Sequence, residues 1–125
     1  MEKEIQISDA EVEVMKVLWA DSPQTLPNIV TTVLKANAWQ YVTVKTLLQR
    51  LVKKGAIMRC GERRNYLYSP TVAEKQYLAS ASRNFLARNF NASPTEMLAF
   101  LVKHGEISKD ELTQIVEGIG DLKDE

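Results

Sequence analysis

Between Trp39 and Tyr68 the chain sets a one-sided amphipathic segment directly before a hairpin, and few folds accept that order. Apolar residues fall at Val44, Leu47, Leu48 and Leu51, the i, i+3, i+4, i+7 spacing of one helix face. The other face carries Thr43, Lys45, Thr46, Gln49, Arg50 and Lys53, with no carboxylate among them. Gly55 stands where a left-handed residue closes a helix. Lys53 and Lys54 occupy the last turn, where the helix dipole favours cations. Ala56 to Cys60 then reads as a short strand, Gly61 to Arg64 as a turn, and Asn65 to Ser69 as the returning strand. In that return Tyr66 and Tyr68 share a face, expected to point to the core rather than to stack on bases, and Pro70 ends it. A basic, hydroxyl-rich helix followed by an arginine-tipped hairpin is the layout of a winged helix. The helix enters a major groove while Arg63 and Arg64 reach phosphate or minor groove.

The preceding residues supply what such a helix leans on. Ser8 and Glu11 form a capping box ahead of Val12, Met15, Leu18 and Trp19, which keep helical spacing to about Ala20. Asp21-Ser22-Pro23 breaks that helix. Thr25 is placed to cap a second one, with Pro27 in its first turn and Leu26, Ile29, Val30, Val33 and Leu34 as its buried stripe. Trp39 plugs the corner before the third helix, and both tryptophans read as core. Three short helices and a hairpin make a helix-turn-helix with a wing.

A net charge of zero would argue against a nucleic-acid partner if charge were spread evenly. It is not. Residues 35–70 hold eight Lys or Arg against one acid, Glu62, a net of +7, while residues 1–34 net −4 and residues 93–125 net −5. Counterion release depends on the charges at the contact, so a local +7 is a phosphate-recruiting footprint. Catalysis has no candidate constellation. The chain has one His and one Cys, five glycines scattered at element ends, and carboxylates only in exposed-looking capping and tail positions. Neither a metal nor a cofactor is expected. Lone Cys60 reads as a small buried hydrophobe and His104 as a cation at a helix C-terminus. The apolar runs are too short for a bilayer and the N-terminus lacks a leader pattern, so the expected location is cytoplasmic, away from membranes.

After Pro70 the pattern turns wholly helical. Val72, Tyr77, Leu78, Phe85 and Leu86 recur at helical intervals from Thr71 to about Phe90. Asn91-Ala92-Ser93-Pro94 breaks the chain, and Met97, Leu98, Phe100, Leu101 and Val102 make a dense apolar helix ended by His104-Gly105. Ser108 and Glu111 form a second capping box before Leu112, Ile115, Val116 and Ile119, and Gly120 opens an acidic tail. These helices are too apolar to lie alone in water, which predicts a homodimer held by Tyr77, Leu78, Phe85, Leu86, Phe100, Leu101, Leu112, Ile115 and Val116.

Three blocks carry a family resemblance: ISDAEVEVMKVLW (Ile7 to Trp19), W-x-x-x-T-V-K-T-L-L-x-R-L-V-K-K-G (Trp39 to Gly55) and R-R-N-Y-L-Y-S-P (Arg63 to Pro70). In that order and spacing the chain resembles the penicillinase repressor family, the BlaI/MecI/CopY type, closely over residues 5 to about 80 and loosely beyond. The resemblance implies a bacterial dimeric winged-helix repressor of operator dyads upstream of resistance or copper-homeostasis genes. It places Thr43, Thr46 and Lys45 in the major groove. Where the family often has Ser-Pro-Lys this chain has Gln40-Tyr41-Val42, which exchanges a base contact for an apolar contact to a thymine methyl. The β-lactam branch is cleaved by a sensor protease at an Asn-Phe bond, whose aligned position here is Phe100-Leu101; the copper branch has Cys-x-Cys motifs that this tail lacks.

The expected fold is therefore mainly α with a small β-hairpin wing. Residues 1–70 form a winged helix-turn-helix DNA-binding domain and residues 71–125 a helical dimerisation region. The expected DNA contacts are Tyr41, Val42, Thr43, Lys45, Thr46, Gln49, Arg50, Lys53, Arg63 and Arg64, and the expected partners are duplex operator DNA, a second copy and a protease acting on the C-terminal region. Two other readings remain open: a winged-helix module that docks an acidic protein without DNA specificity, and a redox or metal sensor working through Cys60.

Overall fold

The computed structural model describes residues 5–122. α1 (Asp9–Ala20) starts as its sequence dictates. The Ser8 hydroxyl accepts from the Glu11 backbone N–H at 3.1 Å, and the Glu11 carboxylate accepts from the Ser8 N–H at 2.9 Å. α2 (Leu26–Ala36) is capped by the Thr25 hydroxyl, which accepts from the Asn28 N–H. α3 (Tyr41–Lys54) ends on Gly55, whose φ of +86° is the left-handed conformation that glycine adopts without a steric penalty. The wing follows as β1 (Ile57–Cys60) and β2 (Leu67–Pro70), antiparallel, with Ile57 opposite Pro70 and Cys60 opposite Leu67. Pro70 thus lies within the strand rather than beyond it, at an end where its missing N–H is tolerated.

One core holds this part together. Val14, Met15, Leu18, Ile29, Val33, Val44, Leu48, Leu51 and Ile57 are fully buried, drawn from all three helices and the first strand. Trp19, Trp39, Tyr66 and Val72 pack around that cluster, partly buried. Sequence periodicity had no access to a further pairing: Gln24 and Tyr68 exchange both backbone hydrogen bonds, at 3.1 and 2.8 Å, which ties the segment before α2 to the outer strand of the wing. The indole N–H of Trp19 donates to the Val72 carbonyl at 2.8 Å, and its ring lies 5.5 Å from that of Tyr77, so the chain leaving the wing is fastened onto α1.

α4 (Glu74–Arg88) starts three residues later than the apolar spacing suggests, because the Gln76 side chain accepts from the Ala73 N–H and closes the first turn there. The chain divides into two units, the first ending at Ser80 and the second beginning at Ala81. In the second unit, α4 gives way to a tight turn at Phe90–Ala92, then α5 (Pro94–Lys103) and α6 (Lys109–Leu122). The Ser93 hydroxyl caps α5 at the Glu96 N–H, and Ser108 and Glu111 make the second capping box at 2.8 and 3.0 Å. Rings run in series, Phe85 to Phe90 at 6.3 Å, Phe90 to Phe100 at 5.4 Å, and Phe100 stacked on His104 at 4.0 Å. Gly120, expected to open a tail, lies inside α6 instead, as does Gly118, each glycine costing the helix about 1 kcal/mol relative to alanine.

Two expectations about single residues are corrected. Cys60 is exposed, because the burial of β1 stops at Ile57 and the strand's other residues face water. Glu11, read as an exposed capping carboxylate, is only 2% exposed. Its cap position on α1 lies against the end of α3, where Lys54 meets it.

Candidate nucleic-acid interface

The face of α3 divides as the sequence divides it. Val44, Leu47, Leu48 and Leu51 are buried, and Thr43, Lys45, Thr46, Gln49, Arg50 and Lys53 are all exposed. A helix fixed to the core by four leucine and valine side chains holds its opposite face rigidly outward. Tyr41 and Val42, at its start, are 49% and 66% exposed, and so present apolar surface at the tip that a groove would meet first. Gln40, at the N-cap position, makes no side-chain cap bond. The first amides of α3 are therefore left to water or to an external acceptor.

Arg63 and Arg64 sit in a single tight turn, Arg63–Asn65, at the tip of the wing, both exposed. Gly61 makes that turn possible: its φ is +96°, and a Cβ there would meet the Asn65 carbonyl oxygen at 3.2 Å. Among the described residues neither arginine forms an ion pair. The expected DNA contacts thus form two exposed groups, one along α3 and one at the wing tip.

Not every cation of the +7 segment belongs to these groups. The Lys54 ammonium binds the Glu11 carboxylate and donates to the Gln6 carbonyl at 2.7 Å. Burial pushes the Glu11 carboxyl up. The Lys54 hydrogen bond and charge, together with the Ser8 N–H and hydroxyl, outweigh it and hold the group below its ordinary value. Arg59 lies over the ring of Tyr66, 4.5 Å from its centre, a cation–π contact within the wing. These two side chains hold the fold, and a charge count alone cannot separate them from the rest. The signal that sequence did contain for Lys54 was its place in the last turn, one residue before the left-handed Gly55.

The residues expected at a dimer contact lie after Pro70. Leu78, Phe85, Phe100, Ile115 and Val116 are 40% exposed or more. Leu86, Leu101 and Leu112 are half-buried, and Tyr77 is half-buried against Trp19 of its own unit. Among the described residues no helix is long and apolar enough to cross a membrane.

This winged-helix geometry agrees with what the chain is similar to. A family model described as the penicillinase repressor matches residues 7–121. The penicillinase repressor of Bacillus licheniformis is 34% identical over 117 residues, covering 94% of this chain and 91% of that protein. The methicillin resistance regulatory protein MecI of Staphylococcus aureus is 28% identical over 113 residues, covering 90% of this chain and 92% of that protein. Among solved structures, the DNA-binding domain of the repressor BlaI superposes with a TM-score of 0.55 at 42% identity, over 62% of this chain and 94% of that one. The monomeric form of Bacillus licheniformis BlaI, in complex with the blaP half-operator, gives 0.53 at the same identity and coverage. With a one-signed helix face, an arginine-tipped wing and a family model that spans nearly its whole length, the chain belongs to the penicillinase repressor family.

Proposed function

We propose that this protein is a homodimeric transcriptional repressor, a regulator rather than an enzyme, that binds a palindromic operator. α3 lies in the major groove with Thr43, Lys45, Thr46, Gln49 and Arg50 toward the bases and phosphates, Lys53 toward the backbone, and Tyr41 and Val42 against thymine methyls. Arg63 and Arg64 hold the duplex from the wing. The single observation that carries this reading is the α3 face itself, six outward polar side chains of which three are cations and none is an acid. The BlaI relative bound to a half-operator, similar over 62% of this chain, supports it.

Residues 71–125 serve as the dimerisation region in this reading, with Leu78, Phe85, Phe100, Ile115 and Val116 as exposed apolar side chains that a second copy covers. A two-fold pair presents two α3 helices to two half-sites, and the dimer sets their spacing. Release follows from any event that changes that spacing, such as cleavage of the C-terminal region by a sensor protease or the binding of a ligand. The regulated genes are those of antibiotic resistance or copper homeostasis.

The test is selection from a randomised duplex pool. The wild-type chain enriches a palindrome, and a Lys45→Ala/Thr46→Ala variant loses at least 100-fold affinity for it while still sedimenting as a dimer. A pool that enriches nothing would sink the operator reading in favour of a module that docks an acidic protein.

A further inference from the structure

Between the start of α2 and the wing tip lies an open cleft of about 310 Å³, lined by Thr25, Leu26 and Pro27 and by the Arg63–Asn65 turn with Tyr66 and Tyr68. Its floor is a fixed part of the fold. Tyr68 is buried, and its backbone is bonded twice to Gln24, immediately before Thr25. Its wall is aromatic: the rings of Tyr66 and Tyr68 meet edge to face at 6.2 Å, and Arg59 over Tyr66 holds that ring in place. Its rim is cationic, with two arginines that have no ion-pair partner among the described residues. This combination goes beyond what a bare phosphate of a duplex needs, since an exposed arginine on a flat surface serves for that. A cleft of this volume that sets aromatic and aliphatic side chains beside a few polar and cationic groups has the elements that hold small organic molecules.

We propose that this cleft binds a small organic anion, a planar apolar body carrying one carboxylate or phosphate. The body lies between Tyr66 and the Leu26–Pro27 wall, and the anionic group meets Arg63 and Arg64. Binding itself does not depend on the operator reading. Its consequence does: a ligand that engages both arginines takes them away from DNA, so occupancy weakens the wing's hold on a duplex.

The test uses the full chain without DNA, followed by NMR with phenyl phosphate, inorganic phosphate and phenol as probes at constant ionic strength. Phenyl phosphate is expected to shift Leu26, Asn65, Tyr66 and Tyr68 saturably. Inorganic phosphate and phenol each bind at least tenfold more weakly, and Arg64→Gln and Tyr66→Leu each weaken phenyl phosphate at least fivefold. Arg64 is exposed, so the first variant stays folded even if the second does not. Shifts that follow inorganic phosphate equally, or that spread along α3 instead of the cleft, overturn the proposal. Because no duplex is present, failure here leaves the operator reading untouched, and failure of the operator selection leaves this one untouched.

Discussion

The contact between Glu11 and Lys54 joins the first turn of α1 to the last turn of α3, the helix that carries the candidate interface. Breaking it should cost stability in an asymmetric way. The Glu11 side chain is 3% exposed and that of Lys54 is 35% exposed. A pair between two exposed groups contributes about 0.2–1 kcal/mol. Stranding one charge of a fully buried pair costs about 3–5 kcal/mol. This pair, dry at one end and partly wet at the other, falls between. Glu11→Gln keeps an oxygen for the Ser8 N–H and leaves a lysine that water can reach, for a loss of about 1.5 kcal/mol. Lys54→Met leaves the buried carboxylate with only Ser8 as a partner, for a loss of about 2.5 kcal/mol. The double variant should lose about 2 kcal/mol, which makes the coupling about 2 kcal/mol.

Urea unfolding at one fixed protein concentration measures all four species, the fixed concentration being needed because the stability of the proposed dimer depends on it. The pH dependence follows from the direction of the Glu11 shift. Its folded carboxyl lies below the ordinary 4.5, so the advantage of wild type over Glu11→Gln is full at neutral pH. That advantage shrinks as pH falls below about 4.5 through the folded value, and carboxylates common to both proteins cancel. Losses that add within about 0.5 kcal/mol, or a difference that does not change down to pH 3, would refute the reasoning. The same Lys54→Met protein, while folded, should discriminate operator from random duplex less sharply than wild type does, since the end of α3 is no longer held to α1.

Other elements offer sharper single changes. At Gly55 a Cβ would meet nothing within 4 Å, so Gly55→Ala tests backbone strain alone; about 1–2 kcal/mol of lost stability in urea is expected, and no loss would mean that the left-handed cap is not needed. Gln40→Ser supplies the missing N-cap of α3 and should raise the urea midpoint, a gain of about 0.5–1 kcal/mol. Phe90, Asn91 and Ala92 hold φ values of 56°, 53° and 59° without a glycine among them, so Ala92→Gly should stabilise the full chain by about 0.5–1 kcal/mol in thermal unfolding.

What could be read from residues alone was what local spacing encodes. The eight residues from Val44 to Leu51 located the buried stripe of α3, and by subtraction its outward face, because a helix repeats every 3.6 residues whatever its partners are. Ser8 with Glu11, Ser108 with Glu111, and Gly55 marked ends for the same reason: each acts within one turn. The features that escaped are long-range. Gln24 pairs with Tyr68 across 44 positions, and Lys54 reaches Glu11 across 43. No local pattern distinguishes Gln24 from any loop glutamine, and the place of Lys54 beside Gly55 does not say which distant carboxylate it reaches. The left-handed run at Phe90–Ala92 escaped for a different reason: it lacks the glycine by which such turns announce themselves.

The long-range contacts change how the basic segment should be understood. A net of +7 over residues 35–70 suggested that charge density makes the interface, yet Lys54 is held by Glu11 and Arg59 lies on Tyr66. The cations that remain along α3 and at the wing tip are Lys45, Arg50, Lys53, Arg63 and Arg64, all exposed. Charge alone would let them bind any polyanion. Discrimination needs them on surfaces that do not move relative to each other, and the withdrawn side chains supply that: Lys54 locks the end of α3 to α1, and Arg59 stiffens the strand that carries the wing tip. Part of the basic segment thus fixes the frame in which the rest can match the spacing of groove and backbone, which explains how a chain of zero net charge can be selective rather than merely adhesive.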